Sequence, residues 1–483
     1  MSTNAATPGG SPDLLAQLDD SKVTAFQWKI MFVSGMGFFT DAYDLFVIGV
    51  VVKLLDSQWH LKTGQTSLLN STTLAASALG AILFGRISDL LGRKKIYGYE
   101  VLVLAAGAIA SALAPGFVWL IVFRIILGIG IGGDYPVSAT IMSEYSGKGS
   151  RGRMVGLVFA MQGAGLVIGP LIAALLLSTG MSHNLIWRIL LGIGAIPGLA
   201  VFYLRRQIHE TPRFAMAGGA TEEAEAAVKA ATGEVAMAGP AKESEARHQQ
   251  NALEGYLLFI RNPTMGKWLL GTALCWMVFD FAYYGNSISS PAVLSLVSPN
   301  ATLLQNVLLT CLIFVVFALP GYALSIHFID RMGRKPIQIM GFGLMTVAFA
   351  AIGLIPGVTR AVVPFVLLYG MSYLFSEFGP NSTTFVYPAE LFPVEVRTSG
   401  HGISAAAGKM GAFAGAYLFP VMLDGTLGLR GAELVAAGMS VIGLLLTIGL
   451  LPEPRGKSLE ELTDMAYAPP PGRAVPKPKA VPA

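Results

Sequence analysis

Several acids stand where an apolar chain should not tolerate them. Asp41 and Asp44 lie in Gly37-Phe38-Phe39-Thr40-Asp41-Ala42-Tyr43-Asp44-Leu45-Phe46, Asp134 lies in Gly132-Gly133-Asp134-Tyr135-Pro136, and Asp280 sits between Trp276 and Tyr284. A carboxylate at bilayer depth costs about 3 kcal/mol or more unless it is neutralised, paired or facing a wet cavity. The chemistry open to such a group is proton uptake and release. Asp41 and Asp44 are spaced i, i+3 and share one helical face. Trp276, Asp280 and Tyr284 are spaced i, i+4, i+8 and form one stripe. Two aromatics alone would read as ordinary packing. The carboxylate between them cannot face lipid, so the stripe is expected to line a central cavity. Gln162 and Asn381 also fall within apolar segments, where such amides commonly bond to a neighbouring helix.

The elements that hold these residues are membrane spans. The chain has 483 residues, 53% hydrophobic and 13% charged, where a soluble protein carries about 25% charged residues. Apolar runs long enough to cross a bilayer recur along most of its length. Spans are expected at 28–54, 65–88, 96–114, 117–144, 153–178, 185–206, 266–293, 302–328, 336–356, 361–387, 399–424 and 430–451. The fold class is therefore an all-α membrane protein of twelve transmembrane helices. The polar first residues lack a basic stretch followed by an apolar run, so no cleavable signal peptide is expected. The odd-numbered connections hold Lys53, Lys62, Arg188, Arg360 and Arg430, while the tails and even-numbered connections hold most other Lys and Arg. The positive-inside rule then places both termini in the cytoplasm, and the chain is read as a multi-pass plasma (inner) membrane protein. Cys275 and Cys311 lie in apolar segments and form no metal or redox pattern. Neither a cofactor nor nucleic acid is expected as a partner. The oligomeric state is not legible, and a monomer fits the pattern.

The two halves repeat. Asp89-Leu90-Leu91-Gly92-Arg93-Lys94 after span two is echoed by Asp330-Arg331-Met332-Gly333-Arg334-Lys335 after span eight. Glu144 and Arg151 after span four are echoed, at the same spacing, by Glu390 and Arg397 after span ten. Two matched pairs at nearly the same offset indicate duplication in a six-plus-six layout. The expected organisation is a tail (1–27), a first bundle (28–206), a cytoplasmic linker (207–262), a second bundle (263–452) and a disordered Pro- and Lys-rich tail (453–483).

The D-x-x-G-R-K corners, Glu210-Thr211-Pro212-Arg213 and Pro452-Glu453-Pro454-Arg455-Gly456-Lys457 resemble the loop signature of the major facilitator superfamily. That resemblance implies a cytoplasmic gate built from Asp89, Arg93, Glu144, Arg151, Asp330, Arg334, Glu390 and Arg397. The run from Gly132 to Tyr145, Thr40-Asp41-Ala42-Tyr43-Asp44, the Trp276–Asp280–Tyr284 stripe and Phe378-Gly379-Pro380-Asn381 resemble the phosphate:proton symporter family, as does His401 through Lys409. This second resemblance implies proton-coupled import of inorganic phosphate by alternating access. It implies phosphate contacts at Tyr135, Gln162, Trp276, Asp280, Tyr284 and Asn381, and proton coupling at Asp41, Asp44, Asp134 and Asp280. Arg124 and Lys409 are the buried cations associated with the site. Glu377 departs from the pattern, since eukaryotic members of that family usually carry a neutral residue there. It is read as a second proton site, a partner for Lys409, or a sign of a different substrate.

Other substrates within the same fold are the strongest rivals: a glycerophosphodiester, an organic or aromatic acid, or a sugar. A non-transporting nutrient sensor would look much the same. An enzyme is not expected. Gly128-x-Gly130-x-Gly132 lies within an apolar span rather than after a strand, which favours helix packing over dinucleotide binding.

Overall fold

The computed structural model describes residues 14–233 and 252–468. Among these, ten helices are long and apolar enough to cross a membrane. Ala25–Trp59 and Pro263–Ile288, which carry the acids of spans one and seven, complete the twelve. In chain order the spans are α1 (Ala25–Trp59), α2 (Thr63–Leu91), α3 (Arg93–Ala112), α4 (Phe117–Tyr145), α5 (Arg151–Ser178) and α6 (His183–Arg206), then α7 (Pro263–Ile288), α8 (Leu303–Met332), α9 (Arg334–Leu354), α10 (Val362–Leu391), α11 (Arg397–Asp424) and α12 (Gly428–Leu450). They form two six-helix bundles. The bundles meet chiefly along α2 against α11 and α5 against α8, positions that the internal repeat exchanges. Both described chain ends and both D-x-x-G-R-K corners lie at one end of the assembly, here the terminal end; the other is the far end.

Local chemistry sets the helix boundaries. Thr24 and Gln27 form a capping box at the start of α1, and Asn262 caps α7 ahead of Pro263. At the two repeated corners the chain turns through Gly92 (φ +103°) and Gly333 (φ +98°), backbone that side-chain-bearing residues rarely adopt. Each turn exposes amide N–H groups, and a carboxylate from just beyond the last span of the same half accepts them. Glu210 takes the N–H groups of Arg93 (3.1 Å) and Lys94 (3.2 Å). Glu453 takes those of Arg334 (3.2 Å) and Lys335 (2.8 Å). Within α4, Gly128, Gly130 and Gly132 face backbone of α2 and α3 so closely that a Cβ would collide. They are packing glycines.

The connection after α6 contains helices at Pro212–Ala217, Thr221–Thr232 and Ala252–Arg261; linker residues 234–251 lie outside the described residues. The disorder expected from 453 onward does not hold for Leu459–Tyr467. That segment is a helix with a Ser458/Glu461 capping box, and it buries Leu459, Leu462 and Ala466 against the second bundle. Residues 469–483 and 1–13 lie outside the described residues.

Candidate functional site

The middle of the molecule, where the two bundles face each other, is polar and buried. Tyr135 on α4 donates its hydroxyl proton to Asp41 on α1. Gln162 on α5 donates to the Tyr135 hydroxyl at 3.0 Å and reaches Asp41 at 3.5 Å. From the other bundle, Lys409 on α11 donates to the hydroxyls of Tyr135 (2.7 Å) and Tyr284 (3.1 Å). Its ammonium lies 4.1 Å and 4.8 Å from the centres of those rings, close enough for cation–π attraction. Tyr322 on α8 donates to Gln162 Oε1 at 3.4 Å and accepts from Asn381 at 2.9 Å. Asn381 also donates to Glu377.

The α7 stripe packs against this centre. The Trp276 ring lies 6.0 Å from that of Tyr135 and packs edge-on against Phe385 and His401. Asp280 is 1% exposed, and its Oδ2 has no hydrogen-bond partner. Lys409 and Asp41 are the charged groups that act on it. A buried carboxylate oxygen with nothing to accept from is costly when charged. The six residues expected to contact substrate lie in one buried cluster, together with Asp41, Lys409 and Glu377.

Three of the expected residues point elsewhere. Asp134 turns away from its neighbour Tyr135 into the first bundle. Arg205 on α6 holds both its oxygens, at 2.7 Å and 3.0 Å, and also pairs with Glu100 on α3 at 2.8 Å. Successive residues on a helix point about 100° apart, and here Tyr135 faces the centre while Asp134 faces Arg205. Asp44 and Arg124 pair with each other at 2.7 Å, leaving Lys409 the cation at the centre. Sequence reasoning passed over Glu100 and Arg205. Glu100 carried the same signal as the other acids, a carboxyl within an apolar run, whereas Arg205 was indistinguishable from a topology anchor.

At the terminal end the gate residues come together with one exception. Arg93 pairs with Asp89 (3.1 Å) and Glu144 (3.2 Å), and Arg397 of the second bundle reaches Glu144 at 2.8 Å. Arg334 pairs with Asp330 (3.0 Å) and Glu390 (2.6 Å). Each corner aspartate also caps a helix of the opposite bundle. Asp89 accepts from the Thr398 (3.2 Å) and Ser399 (2.6 Å) amides, and Asp330 from the Arg153 amide (2.9 Å). The exception is Arg151. It pairs with Asp19 of the short helix Leu14–Asp19 at 3.0 Å and with the Lys457 carbonyl at 3.1 Å. Asp19 also binds Arg213, which binds Glu460 (both 2.8 Å). Burial pushes the Glu460 carboxyl upward, but the Arg213 guanidinium outweighs it and holds the carboxyl at about 2. At the far end a cavity of about 200 Å³ separates the bundles, lined by Lys53, Asp56, Thr63, Asn70, Ser289 and Asp424 among others.

A twelve-helix bundle pair with a buried polar centre between its halves defines a membrane transporter of the major facilitator superfamily. Residues 28–466 match the sugar (and other) transporter family, and the chain belongs to it. The chain is 36% identical to the probable inorganic phosphate transporter 1-6 of Arabidopsis thaliana, over 93% of this chain and 96% of that protein. It is 35% identical to the inorganic phosphate transporter 1-6 of Oryza sativa subsp. japonica, over 96% of this chain and 98% of that one. Among solved structures it resembles the proton:xylose symporter XylE bound to 6-bromo-6-deoxy-D-glucose (TM-score 0.75, 20% identity, 91% of this chain and 99% of that one). It also resembles the inward open conformation of XylE from E. coli (TM-score 0.65, 21% identity, 90% and 99%). At that identity the likeness speaks to the fold.

Proposed function

We propose that this transporter imports inorganic phosphate together with protons by alternating access. The observation that carries the reading is Lys409, held between the Tyr135 and Tyr284 hydroxyls beside Asp41 and Asp280. Phosphate is an anion with several acceptor oxygens. Tyrosine hydroxyl, indole and amide donors from Tyr135, Gln162, Trp276, Tyr284 and Asn381 suit those oxygens, and Lys409 supplies one positive charge. The relatives named above as phosphate transporters support the choice of substrate.

The nearby carboxylates give the coupling rule. An ionised Asp280 beside an incoming anion repels it, so proton uptake permits loading and proton loss expels the anion. Asp41 stands in the same relation through Tyr135. Residues 28–206 and 263–452 are the two moving bodies, joined by 207–262, and they rock about the central site. The terminal end faces the cytoplasm of a plasma (inner) membrane, in line with the distribution of Lys and Arg. In this reading the bonded gate closes the inner side, and the far-end cavity is the outer vestibule.

The test is uptake of labelled phosphate into proteoliposomes holding the purified chain, with and without an inward proton gradient. Gradient-stimulated uptake that arsenate inhibits, and that glucose and benzoate leave unchanged, is the expected result. Absence of uptake by protein shown to be folded would overturn the substrate assignment.

A further inference from the structure

Both amide hydrogens of Asn381 are already committed. One goes to the Tyr322 hydroxyl at 2.9 Å and the other to Glu377 Oε2. An amide nitrogen has two hydrogens to give, so Asn381 cannot also donate to a substrate oxygen in this arrangement. Glu377 lies one turn earlier on α10, at the start of the π-helical turn Glu377–Asn381. It is fully buried. Its other oxygen accepts from the Tyr283 hydroxyl at 2.7 Å.

No ion pair includes Glu377 among the described residues. Lys409 is engaged with two tyrosines instead. The titratable groups around Glu377 are Tyr283 and Tyr284 from α7, Tyr322 from α8 and, behind Tyr283, Tyr373 from α10 itself. Asp41 of α1 lies beyond Tyr322 and Gln162. The charged residues of α9, Arg334 and Lys335, sit at its start and bond at the terminal end. The first bundle holds a chemically matched unit: Gln162, whose amide is shared between Asp41 and Tyr135. Each half thus keeps one candidate substrate amide tied to a carboxylate and a tyrosine.

Resting on the phosphate-transport reading of this site, we propose that Glu377 is a proton-operated latch on Asn381. Ionised, Glu377 accepts from the amide and holds it back. A proton taken from the side to which the site is open turns the carboxylate into a donor. Asn381 can then offer its carbonyl to Glu377 and swing its NH₂ group toward the substrate. Loss of that proton on the other side recaptures the amide and releases the anion. The substrate therefore travels with a proton on Glu377 in addition to the one assigned to Asp280. Glu377 is a positioning residue acting through Asn381.

The experiment is initial phosphate uptake by proteoliposomes across mildly acid to mildly alkaline pH, for the wild type, Glu377→Gln and Tyr283→Phe. Infrared titration of carboxyl bands in the ligand-free protein accompanies it. Glutamine mimics the protonated latch. Glu377→Gln is expected to keep uptake at acid pH while its alkaline decline loses up to about a factor of ten per pH unit, the effect of removing one titrating group. Tyr283→Phe removes a donor to the ionised latch and is expected to move the profile toward alkaline pH. Parallel profiles for all three proteins overturn the latch and leave the transport reading intact. If Glu377→Gln does not fold, the Tyr283→Phe profile decides alone. If the folded wild type takes up no phosphate, the transport reading falls and the infrared titration decides the latch. A carboxyl band that titrates in the wild type and vanishes in Glu377→Gln supports it; a band that does not titrate overturns it.

Discussion

Arg397 reaches across the bundle interface to Glu144 at 2.8 Å, whereas its counterpart in the repeat, Arg151, does not reach across to Glu390. Glu390 belongs to Arg334, and Arg151 turns to Asp19. One cross-bundle ion pair therefore replaces the two that a perfect duplication would make. Removing one member of a buried pair leaves the other charged and unpaired, at a cost of about 3–5 kcal/mol. Glu144→Ala is expected to weaken closure of the terminal end. Cysteine labelling there, or spin-label distances between the ends of α4 and α10, should report a larger open population. An unchanged distance distribution would mean that the other contacts between the halves, the Asp89 and Asp330 caps among them, carry the closure without this pair.

Asp134 and Asp41 should separate under the same substitution. Asp134→Asn leaves Arg205 buried with Glu100 as its one carboxylate, so a loss of thermal stability of several degrees is expected. Asp41→Asn keeps an acceptor for Tyr135 and should leave the melting temperature within a few degrees while abolishing gradient-driven uptake. Scanning fluorimetry and uptake on the same preparations check both. Equal melting temperatures for the two variants would contradict the structural role given to Asp134.

Asp280→Asn removes the carboxylate charge from the centre with little change of size. The folded protein should persist, and phosphate binding or its coupling to the proton gradient should fail. Normal proton-driven uptake in this variant would remove Asp280 from the mechanism. Lys409→Gln deletes the central cation, and apparent affinity for phosphate should fall by about ten- to a hundredfold, the range for a charged hydrogen bond of about 1.5–3 kcal/mol.

The Arg213–Glu460 pair fixes a pH window. A carboxyl held at about 2 lies below its ordinary value near 4.3. Its contribution to stability is present above the ordinary value and is lost as the pH falls through about 2. Glu460→Gln should lower the melting temperature by an amount that stays constant from neutral pH to about pH 5 and shrinks below about pH 4. A difference that grows on acidification would reverse the sign and exclude this pair as its source.

Much of this architecture is legible in the amino-acid sequence. Apolar runs locate the twelve spans, the repeated corners locate the halves, and the i, i+4, i+8 spacing of Trp276, Asp280 and Tyr284 marks the face of α7 that lines the centre. Helix rotation is what a single sequence leaves open. Nothing in Gly133-Asp134-Tyr135 says which side chain faces the buried centre and which faces Arg205. That depends on α6, some seventy positions later in the chain. The pairing of Arg151 with Asp19 was equally hidden, because duplication predicts symmetry and the tail that breaks it has no counterpart in the repeat. The Leu459–Tyr467 helix was within reach: Ser458-Leu459-Glu460-Glu461 carries the spacing of a capping box.

The glutamates beyond the last span of each half do more than satisfy turn amides. Glu210 fastens the corner between α2 and α3 to the chain leaving α6, and Glu453 fastens the corner between α8 and α9 to the chain leaving α12. Each half is thereby stitched shut, its late segment tied back to an early one, like a hoop closed by a single clasp. A hoop of that kind resists shear among its own staves. Under the alternating-access reading proposed above, displacement falls in the seam between the two hoops, which the Arg397–Glu144 pair spans.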